Sequence, residues 1–392
     1  MRAAFVCADP GVPIYGHKGC SVHVQEVVRA LRREGVSVEI LAARIGGAPP
    51  VDLADVAVHE MPEVRRAAQA GDAHRVNDAI GRALTGLGAL DLVYERYALW
   101  SWAGVAYAEM RRIPGVLEVN APLVDEHVQH RGAIDVEVAR DATVRAFAAA
   151  STLVAVSQEV RAGIGRAHAP ALARAHVVPN GVDTERFTPG VAPAQRADGL
   201  FTVGFAGSMK PWHGLRMLAA AFAGLHGEAP ATRLLLIGDG PEAEPTRDLL
   251  AAQGAGDAAH WVGTVPPDSI PALLTSMDVA VAPARADAPF YFSPLKVFEY
   301  MAAGRAIVAS GIGQLRDVIE HERTGLLVDP GDQHALAGAL SRLRRDGDLR
   351  ARLGRAARAR AVEQHSWRAV ARRILALVDG AEEKVTSREV TA

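Results

Sequence analysis

The chain has 392 residues and a formal net charge of −2, with 49% hydrophobic and 22% charged residues. One hydrophobic core rarely serves a chain of this length, so two domains are expected. The charge balance argues against nucleic-acid binding, and the lack of a long apolar run argues against stable membrane association. The two cysteines, Cys7 and Cys20, are too few for a disulfide framework and favour the reducing cytoplasm.

Short β-rich runs alternate with amphipathic stretches in the first half, a pattern typical of parallel α/β layers. AAFVCA (3–8) predicts a buried first strand, and SVHVQEVVRALRREG (21–35) predicts the helix that follows a glycine loop. The other predicted strands of this half are SVEILAA (37–43), LDLVYER (90–96), GVLEVN (115–120), TLVAVS (152–157) and AHVVPNG (175–181).

The second half repeats this scheme. LFTVGFAG (200–207) and TRLLLIGDG (232–240) each predict a strand that enters a glycine turn. AHWVGTV, DVAVAPA, RAIVAS and GLLVD predict further strands. FTPGVAPAQRADG (187–199) has no apolar period and predicts a linker. Two doubly wound domains, 1–186 and 200–365, would then face each other, with ligands at the carboxyl ends of the strands.

Three glycine loops stand between a predicted strand and a predicted helix. Glycine lets a ligand approach the backbone, and a helix N-terminus offers N–H groups to an anion. The loops are FAGSMKPWHG (205–214), IGDGPE (237–242) and the segment with Gly16 and Gly19. Turn geometry or a plain surface loop explains each of them taken singly.

SPLKVFEYMAAG (293–304) places Lys296 and Glu299 three residues apart in an apolar, helix-like run. On a helix these two side chains share one face. They form either a local ion pair or a site at which each holds a different part of one ligand.

These motifs occur in the order and spacing of the family-4 glycosyltransferases, which the chain resembles over almost its whole length. The motifs are GHKGCSVHVQEVVRAL, VPNGVD, the strand–glycine–KPWHG segment, GDGPE, SPLKVFEYMAAGRAIVAS and ERTGLLVDPGD. The resemblance implies the GT-B fold, with two Rossmann-like domains across a cleft and a helix at 366–380 that crosses back before a tail at 381–392. It also implies retaining transfer of a hexosyl group to a hydroxyl, or less favourably to an amine or thiol.

The resemblance further implies that the C-terminal domain binds a nucleotide-diphosphate sugar and the N-terminal domain binds the acceptor. Glu299 then accepts hydrogen bonds from the ribose hydroxyls, and Lys296 and Lys210 neutralise the diphosphate. His127 is chosen as the contact to the transferred sugar, so the catalytic candidates are His127, Lys210 and Lys296. The donor-binding candidates are Gly16, Gly19, Gly207, Ser208, His213, Gly238, Val262, Tyr291, Ser293, Leu295 and Glu299. The acceptor-binding candidates are His17, Lys18, Tyr94, Arg96, Asn120, Glu126 and His130.

The chain departs from the family pattern at three places. Tyr291 stands where relatives have the first glutamate of their signature, and Ser208 and His213 stand where many have arginine and lysine. These changes put recognition of the donor sugar in doubt and leave His213 as a hydrogen-bond donor that is cationic only if its pKa is raised.

The expected donor is a UDP-sugar, with a GDP-sugar next. The expected acceptor is a small soluble molecule, because Glu26 and Glu34 reduce the positive charge that the arginines of the first helix would offer to a membrane. No cofactor and no essential metal are expected, and a monomer or homodimer is expected. The alternatives are a lipid-linked glycan acceptor and a catalytically impaired sugar-nucleotide-binding protein. A sugar-nucleotide epimerase or a phosphorylase shares the frame, but SPLKVFEYMAAG favours neither.

Overall fold

The computed structural model describes residues 1–130, 134–287, 290–291 and 293–389, with the side chains of 129–130 and 381–389 excepted. The strands are β1 (Arg2–Cys7), β2 (Ser37–Ala42), β3 (Val58–Glu60), β4 (Leu92–Arg96), β5 (Gly115–Val119), β6 (Thr152–Ala155), β7 (Ala175–Val177), β8 (Phe201–Ala206), β9 (Thr232–Ile237), β10 (Ala259–Gly263), β11 (Val279–Ala282), β12 (Ala306–Ser310) and β13 (Leu326–Val328). The α-helices are α1 (Gly19–Arg33), α2 (Pro62–Gln69), α3 (Ala73–Gly86), α4 (Ala103–Arg111), α5 (Leu123–His130), α6 (Val136–Ala149), α7 (Gln158–Ala167), α8 (Leu215–Glu228), α9 (Ala243–Ala252), α10 (Ile270–Leu274), α11 (Leu295–Ala302), α12 (Leu315–Val318), α13 (Gln333–Arg345), α14 (Gly347–Gln364) and α15 (Trp367–Glu389).

The chain forms two compact units. Unit 1 comprises Met1–Asn180, Tyr291–Ser293 and Trp367–Ala392, and unit 2 comprises Gly181–Phe290 and Pro294–Ser366. Residues 181–186, which the sequence places with the N-terminal domain, and the predicted linker 187–199 therefore lie in unit 2.

Side-chain and backbone contacts explain this boundary. Val182 pairs with Ser366, and the Arg358 guanidinium donates hydrogen bonds to the carbonyls of Thr184 and Phe187. At the other end of the chain, helix α15 continues to Glu389, whereas the sequence predicts that the helix ends at 380 and that a tail begins at 381.

Unit 1 contains a parallel seven-stranded sheet in the order β3-β2-β1-β4-β5-β6-β7. Its central strands β1, β4 and β5 are mostly apolar and buried, as expected where helices cover both faces of a sheet. β1 pairs with β2 on one side and with β4 on the other, so the strand order reverses between β1 and β4. Such a switch point opens a crevice at the carboxyl ends of the two strands, where doubly wound folds bind ligands.

Unit 2 repeats the plan with a parallel six-stranded sheet in the order β10-β9-β8-β11-β12-β13. Its order reverses between β8 and β11, which places a second switch point beside the loop that follows Ala206. The prediction of two doubly wound α/β domains is confirmed.

Two glycine turns pack backbone against backbone at the carboxyl edge of the unit 2 sheet. Gly207 and Gly238 have φ values of +136° and +114°, and a Cβ on Gly238 would lie 2.2 Å from the Gly207 carbonyl oxygen. The Gly207 N–H donates to the Ile237 carbonyl at 2.9 Å, which holds the two turns together. A side chain at either turn would therefore alter the edge on which the site is built.

Gly238→Ala tests this packing against the control Gly254→Ala. Gly254 also has a positive φ of +71°, but nothing lies within 4 Å of its Cβ position. The control should cost about 1–2 kcal/mol of unfolding free energy for the backbone conformation alone. Gly238→Ala should cost more, because the neighbouring turn must also move. Urea unfolding of both variants measures the difference, and equal losses would contradict the proposed contact.

Candidate functional site

Helix α11 is fixed to the end of β8 by one buried tyrosine. The Tyr300 hydroxyl accepts a hydrogen bond from the Ala206 N–H at 2.8 Å and donates one to the Ala206 carbonyl at 3.2 Å. Lys296, one turn earlier on α11, then lies against Gly207, with its Nζ 3.1 Å from the position a Cβ would take there. The same Nζ lies 4.2 Å from the centre of the Phe205 ring. Lys296 is thereby held at the unit 2 switch point.

Lys296 and Glu299 lie together in a partly buried environment that weakens both charges. Burial lowers the pKa of the Lys296 ammonium from 10.5 to about 7, although the Glu299 carboxylate opposes this shift. Burial raises the pKa of Glu299 from 4.5 to about 7, against the opposing effects of Arg186 and Lys296. An anion beside Lys296 and hydroxyl donors beside Glu299 would stabilise the charged forms. The pair is therefore suited to hold two different parts of one ligand.

His213 lies in the β8–α8 loop as a neutral side chain. Burial lowers the pKa of His213 to about 3, and the nearby Lys296 and Lys210 add to this effect. Its Nδ1 lies 2.5 Å from the Ser208 carbonyl oxygen. A carbonyl only accepts hydrogen bonds, so Nδ1 carries the proton and Nε2 is an acceptor. His213 therefore cannot supply the cation that the family resemblance implies at this position, whereas Lys210 is exposed on the same loop.

The remaining donor-side candidates are distributed over both units. Gly238 lies beside Gly207, Leu295 begins α11, and Val262 lies in β10, the strand next to β9. Ser293 belongs to unit 1, where its Oγ accepts a hydrogen bond from the Asn180 N–H at 3.1 Å.

Tyr291 also belongs to unit 1, and its polar atoms bind there. Its hydroxyl donates to Glu126 Oε1 on α5 at 2.6 Å, and its carbonyl accepts from the Ser157 hydroxyl at 2.6 Å. The phenol, at the position where the family resemblance implies a glutamate, therefore contacts Glu126, one of the acceptor-binding candidates.

A buried charge cluster lies at the carboxyl ends of β4 and β5 in unit 1. The Glu118 carboxylate accepts from His23 at 2.8 Å and from Asn120 at 3.0 Å, and Arg96 lies 3.6 Å away. Burial would raise the pKa of Glu118, but His23, Arg96 and Asn120 outweigh burial and hold this pKa at about 2. The cluster is thus a paired network that joins α1 to β4 and β5.

Three of the predicted acceptor-binding residues have structural roles in or beside this cluster. Arg96 forms an ion pair with Glu118 and Asn120 donates a hydrogen bond to it, so both side chains belong to this buried cluster. Tyr94 is a core residue and not an acceptor contact, because its side chain is 0% exposed and stacks on Phe5 at 5.1 Å. The side chain of His130 lies outside the described part of the structure.

The loop after β1 presents the other candidates of unit 1. The Gln25 amide donates to the carbonyl of Gly16 at 3.1 Å and holds the loop against α1. His17, Lys18 and Gly19 are exposed at the start of α1. The loop geometry leaves these residues accessible to a ligand.

A crevice of about 680 Å³ lies at the unit 1 switch point, where its lining includes residues that follow β1 and β4. We call it the switch-point crevice. Its lining includes Asp9, Gln69, Trp100, Leu123 and His127. His127 Nδ1 donates to the Leu123 carbonyl at 3.1 Å, which leaves Nε2 for other partners. An aromatic wall with carboxylate, amide and imidazole groups suits a hydroxylated ligand.

Among the side chains that the structure describes, no group of three or more His, Cys, Asp and Glu residues could hold a metal ion. Within the same described residues, no helix has the length and apolar character needed to cross a bilayer. Metal independence itself stays a prediction.

Two family models match the chain. The model described as Glycosyltransferase Family 4 matches residues 17–186, and the model described as Glycosyl transferases group 1 matches residues 201–346. The chain belongs to glycosyltransferase family 4. It is therefore a transferase enzyme.

Curated relatives agree with this assignment. The chain is 29% identical to an alpha-maltose-1-phosphate synthase of Mycolicibacterium smegmatis, over 96% of this chain and 98% of the relative. It is 28% identical to a GDP-mannose-dependent alpha-(1-6)-phosphatidylinositol monomannoside mannosyltransferase of Mycobacterium tuberculosis, over 71% of this chain and 75% of the relative.

Solved structures share the fold. Anabaena Alr3699/HepE in complex with UDP superposes with a TM-score of 0.73 at 19% identity, over 97% of this chain and all of that one. Sucrose-phosphate synthase of Thermosynechococcus elongatus gives a TM-score of 0.69 at 20% identity, over 98% and 100% of the two chains. The GT-B fold expected for this glycosyltransferase is confirmed.

Sequence reasoning missed four residues of the two switch points. In the sequence, Tyr300 belongs to an apolar helix face. Nothing in the sequence links the polar residues Arg186, His23 and Glu118, which lie in separate segments. A polar residue inside an otherwise apolar strand, as at Glu118, is a usable signal that a buried partner exists.

The pKa of Lys296 predicts proton uptake when a nucleoside diphosphate binds at pH 8. Free Lys296, with a pKa of about 7, is mostly neutral at that pH, and an anion stabilises its protonated form. Glu299, with a pKa of about 7, is already mostly ionised there. Calorimetry in buffers of different ionisation enthalpy should show uptake approaching one proton. Lys296→Met should bind more weakly and take up none, whereas Glu299→Gln should retain the uptake. Unchanged uptake in Lys296→Met would assign the proton to another group.

Proposed function

We propose that this glycosyltransferase moves a hexosyl group from a nucleotide-diphosphate sugar to a hydroxyl of a small-molecule acceptor, with retention of anomeric configuration. The observation that supports this most strongly is the placement of Lys296 beside Gly207, with Glu299 one turn further on the same helix. The ammonium would face the diphosphate, and the carboxylate would accept the ribose hydroxyls.

The proposed chemistry relies on position and electrostatics. Lys296 and the exposed Lys210 would stabilise the charge that develops on the leaving diphosphate. The diphosphate would itself accept the proton of the attacking hydroxyl on the same face of the sugar, so the mechanism needs no protein nucleophile. His127, in the switch-point crevice, would bind the transferred sugar through Nε2.

The donor is proposed from the sequence and from the names of relatives. The sequence favours a UDP-sugar and then a GDP-sugar. Two 28%-identical mycobacterial relatives are named as GDP-mannose-dependent mannosyltransferases. GDP-mannose is therefore the first donor to test, beside the UDP-sugars.

The acceptor is proposed to be a small molecule because two of the three arginines of α1, Arg29 and Arg32, are paired. Arg29 binds Asp52 and Glu26, and Arg32 binds Asp55. The acidic partners neutralise the basic face that a membrane-bound glycosyltransferase would offer to anionic lipid. A relative of Acidothermus cellulolyticus, 34% identical over 49% of this chain, is named as a D-inositol 3-phosphate glycosyltransferase. A phosphorylated polyol is one acceptor of the proposed class.

A screen of nucleotide sugars tests the donor site. GDP-, UDP-, ADP- and dTDP-sugars are compared by thermal shift with the free nucleotides. A ligand at 100 times its Kd should add about 2.7 kcal/mol of stability. Labelled hexose should then pass to an acceptor, and NMR of the product should show the anomer of the donor. No shift with any nucleotide class, in folded protein, would contradict the proposal.

A double-mutant cycle tests the ribose contact. Glu299→Gln should weaken nucleotide binding about tenfold to a hundredfold, because hydrogen bonds to a charged group contribute about 1.5–3 kcal/mol. The 2′,3′-dideoxy nucleotide should lose affinity for the unsubstituted enzyme but not for this variant. Glu228→Gln, at an exposed position on α8, is the matched control. If the dideoxy nucleotide lost the same affinity for the unsubstituted enzyme and for Glu299→Gln, Glu299 would not contact the ribose.

A further inference from the structure

A second cavity of unit 1 lies beneath helix α5, between α6 and α7, and has a volume of about 440 Å³. We call it the α5–α7 pocket. Its inner wall includes Val119, Phe147, Val160 and Ile164, each at most 3% exposed. Protein interiors are close-packed and leave few voids of this size. The volume lies within the range of small-molecule sites, about 300–1,000 Å³.

The polar groups inside this pocket are satisfied within the protein. The Thr143 hydroxyl donates to the Ala139 carbonyl at 2.8 Å and lies 2.6 Å from the Tyr97 hydroxyl. The Thr143 proton is therefore used, and Tyr97 must be the donor in the second bond. Both hydroxyl protons are engaged, so the interior presents an essentially apolar surface to a ligand.

Charged side chains lie only on the exposed part of the described lining. Asp125, Arg140 and Arg166 line the pocket and are exposed. An apolar body can thus enter the pocket while its polar end stays near water.

The α5–α7 pocket adjoins the switch-point crevice. Leu123, the first residue of α5, lines both cavities and packs against the apolar clusters on either side. A molecule that reaches past Leu123 would place a hydroxylated end among Asp9, Gln69 and His127 and an apolar end among Phe147 and Ile164.

We propose that the acceptor of this glycosyltransferase is amphipathic, with its hydroxylated end in the switch-point crevice and an apolar group in the α5–α7 pocket. This inference rests on the proposed function, and it narrows the acceptor class to hydroxylated molecules with an apolar group. A wholly polar acceptor would leave the apolar wall exposed to water and gain nothing from it.

Gly163 on α7 offers a way to fill the pocket without removing any contact. It lines the pocket, and within 4 Å of its Cβ position lies only Arg166 Nη2, at 3.5 Å. Leucine at this position should extend into the pocket, and in a helix it is favoured over glycine. Gly224→Leu, at an exposed position on α8 with nothing within 4 Å, is the matched control.

The probes are methyl, butyl, hexyl and octyl glucosides, kept below the concentrations at which they form micelles. Calorimetry should show affinity rising about fourfold for each added methylene in the unsubstituted enzyme and in Gly224→Leu. Gly163→Ala should retain most of this dependence, and Gly163→Leu should lose it. The proposal would be overturned if affinity did not rise with alkyl chain length in the unsubstituted enzyme. It would also be overturned if affinity rose as steeply in Gly163→Leu as in the unsubstituted enzyme.

Nucleotide-sugar binding, measured by thermal shift on the same preparations, separates this proposal from the proposed function. If the donor binds and the alkyl series is flat, the amphipathic acceptor is wrong and the donor site stands. If the alkyl series is steep and no donor binds, the assignment of the pocket to an acceptor is overturned. A circular dichroism spectrum and a urea unfolding curve of Gly163→Leu that match those of Gly224→Leu show that this variant is folded.

Discussion

The unit 2 switch point of this glycosyltransferase depends on the hydrogen bonds between the Tyr300 hydroxyl and the backbone of Ala206. They fix α11 on the end of β8, and the geometry of Lys296 and Glu299 follows from that attachment. Because the attachment is buried, the two charges lie where burial shifts both pKa values to about 7. The hydrogen bonds of Tyr300 therefore place Lys296 and Glu299 where their pKa values are shifted.

The two units have the same type of topology, but the buried charges at their switch points are paired to different extents. At the unit 2 switch point, Lys296 lies against a glycine turn and a phenyl ring, and its charge is incompletely compensated. At the unit 1 switch point, Glu118 is bonded by His23 and Asn120 and held at a pKa of about 2. An incompletely compensated cation can bind an anion, whereas a buried network of this kind holds α1 against β4 and β5.

The structure shows what two of the departures from the family pattern, His213 and Tyr291, contact. His213 is neutral and offers an acceptor nitrogen, so Lys210 is the cation in that loop. Tyr291 donates to Glu126, so the hydroxyl at the position of the usual glutamate is bound within unit 1. Both side chains are therefore held by hydrogen bonds within the fold.

The sequence by itself determined the two doubly wound domains, because alternating apolar strands and amphipathic helices are local patterns. It also determined the family, because KPWHG, GDGPE and SPLKVFEYMAAG keep their order along the chain. Only the tertiary structure decided that Tyr94 is core, that Arg96 and Asn120 hold Glu118, and that Tyr300 fixes α11. Burial and pairing depend on residues far apart in sequence, and a pKa is set by those neighbours. The pocket beneath α5 is likewise formed by segments that no local pattern brings together.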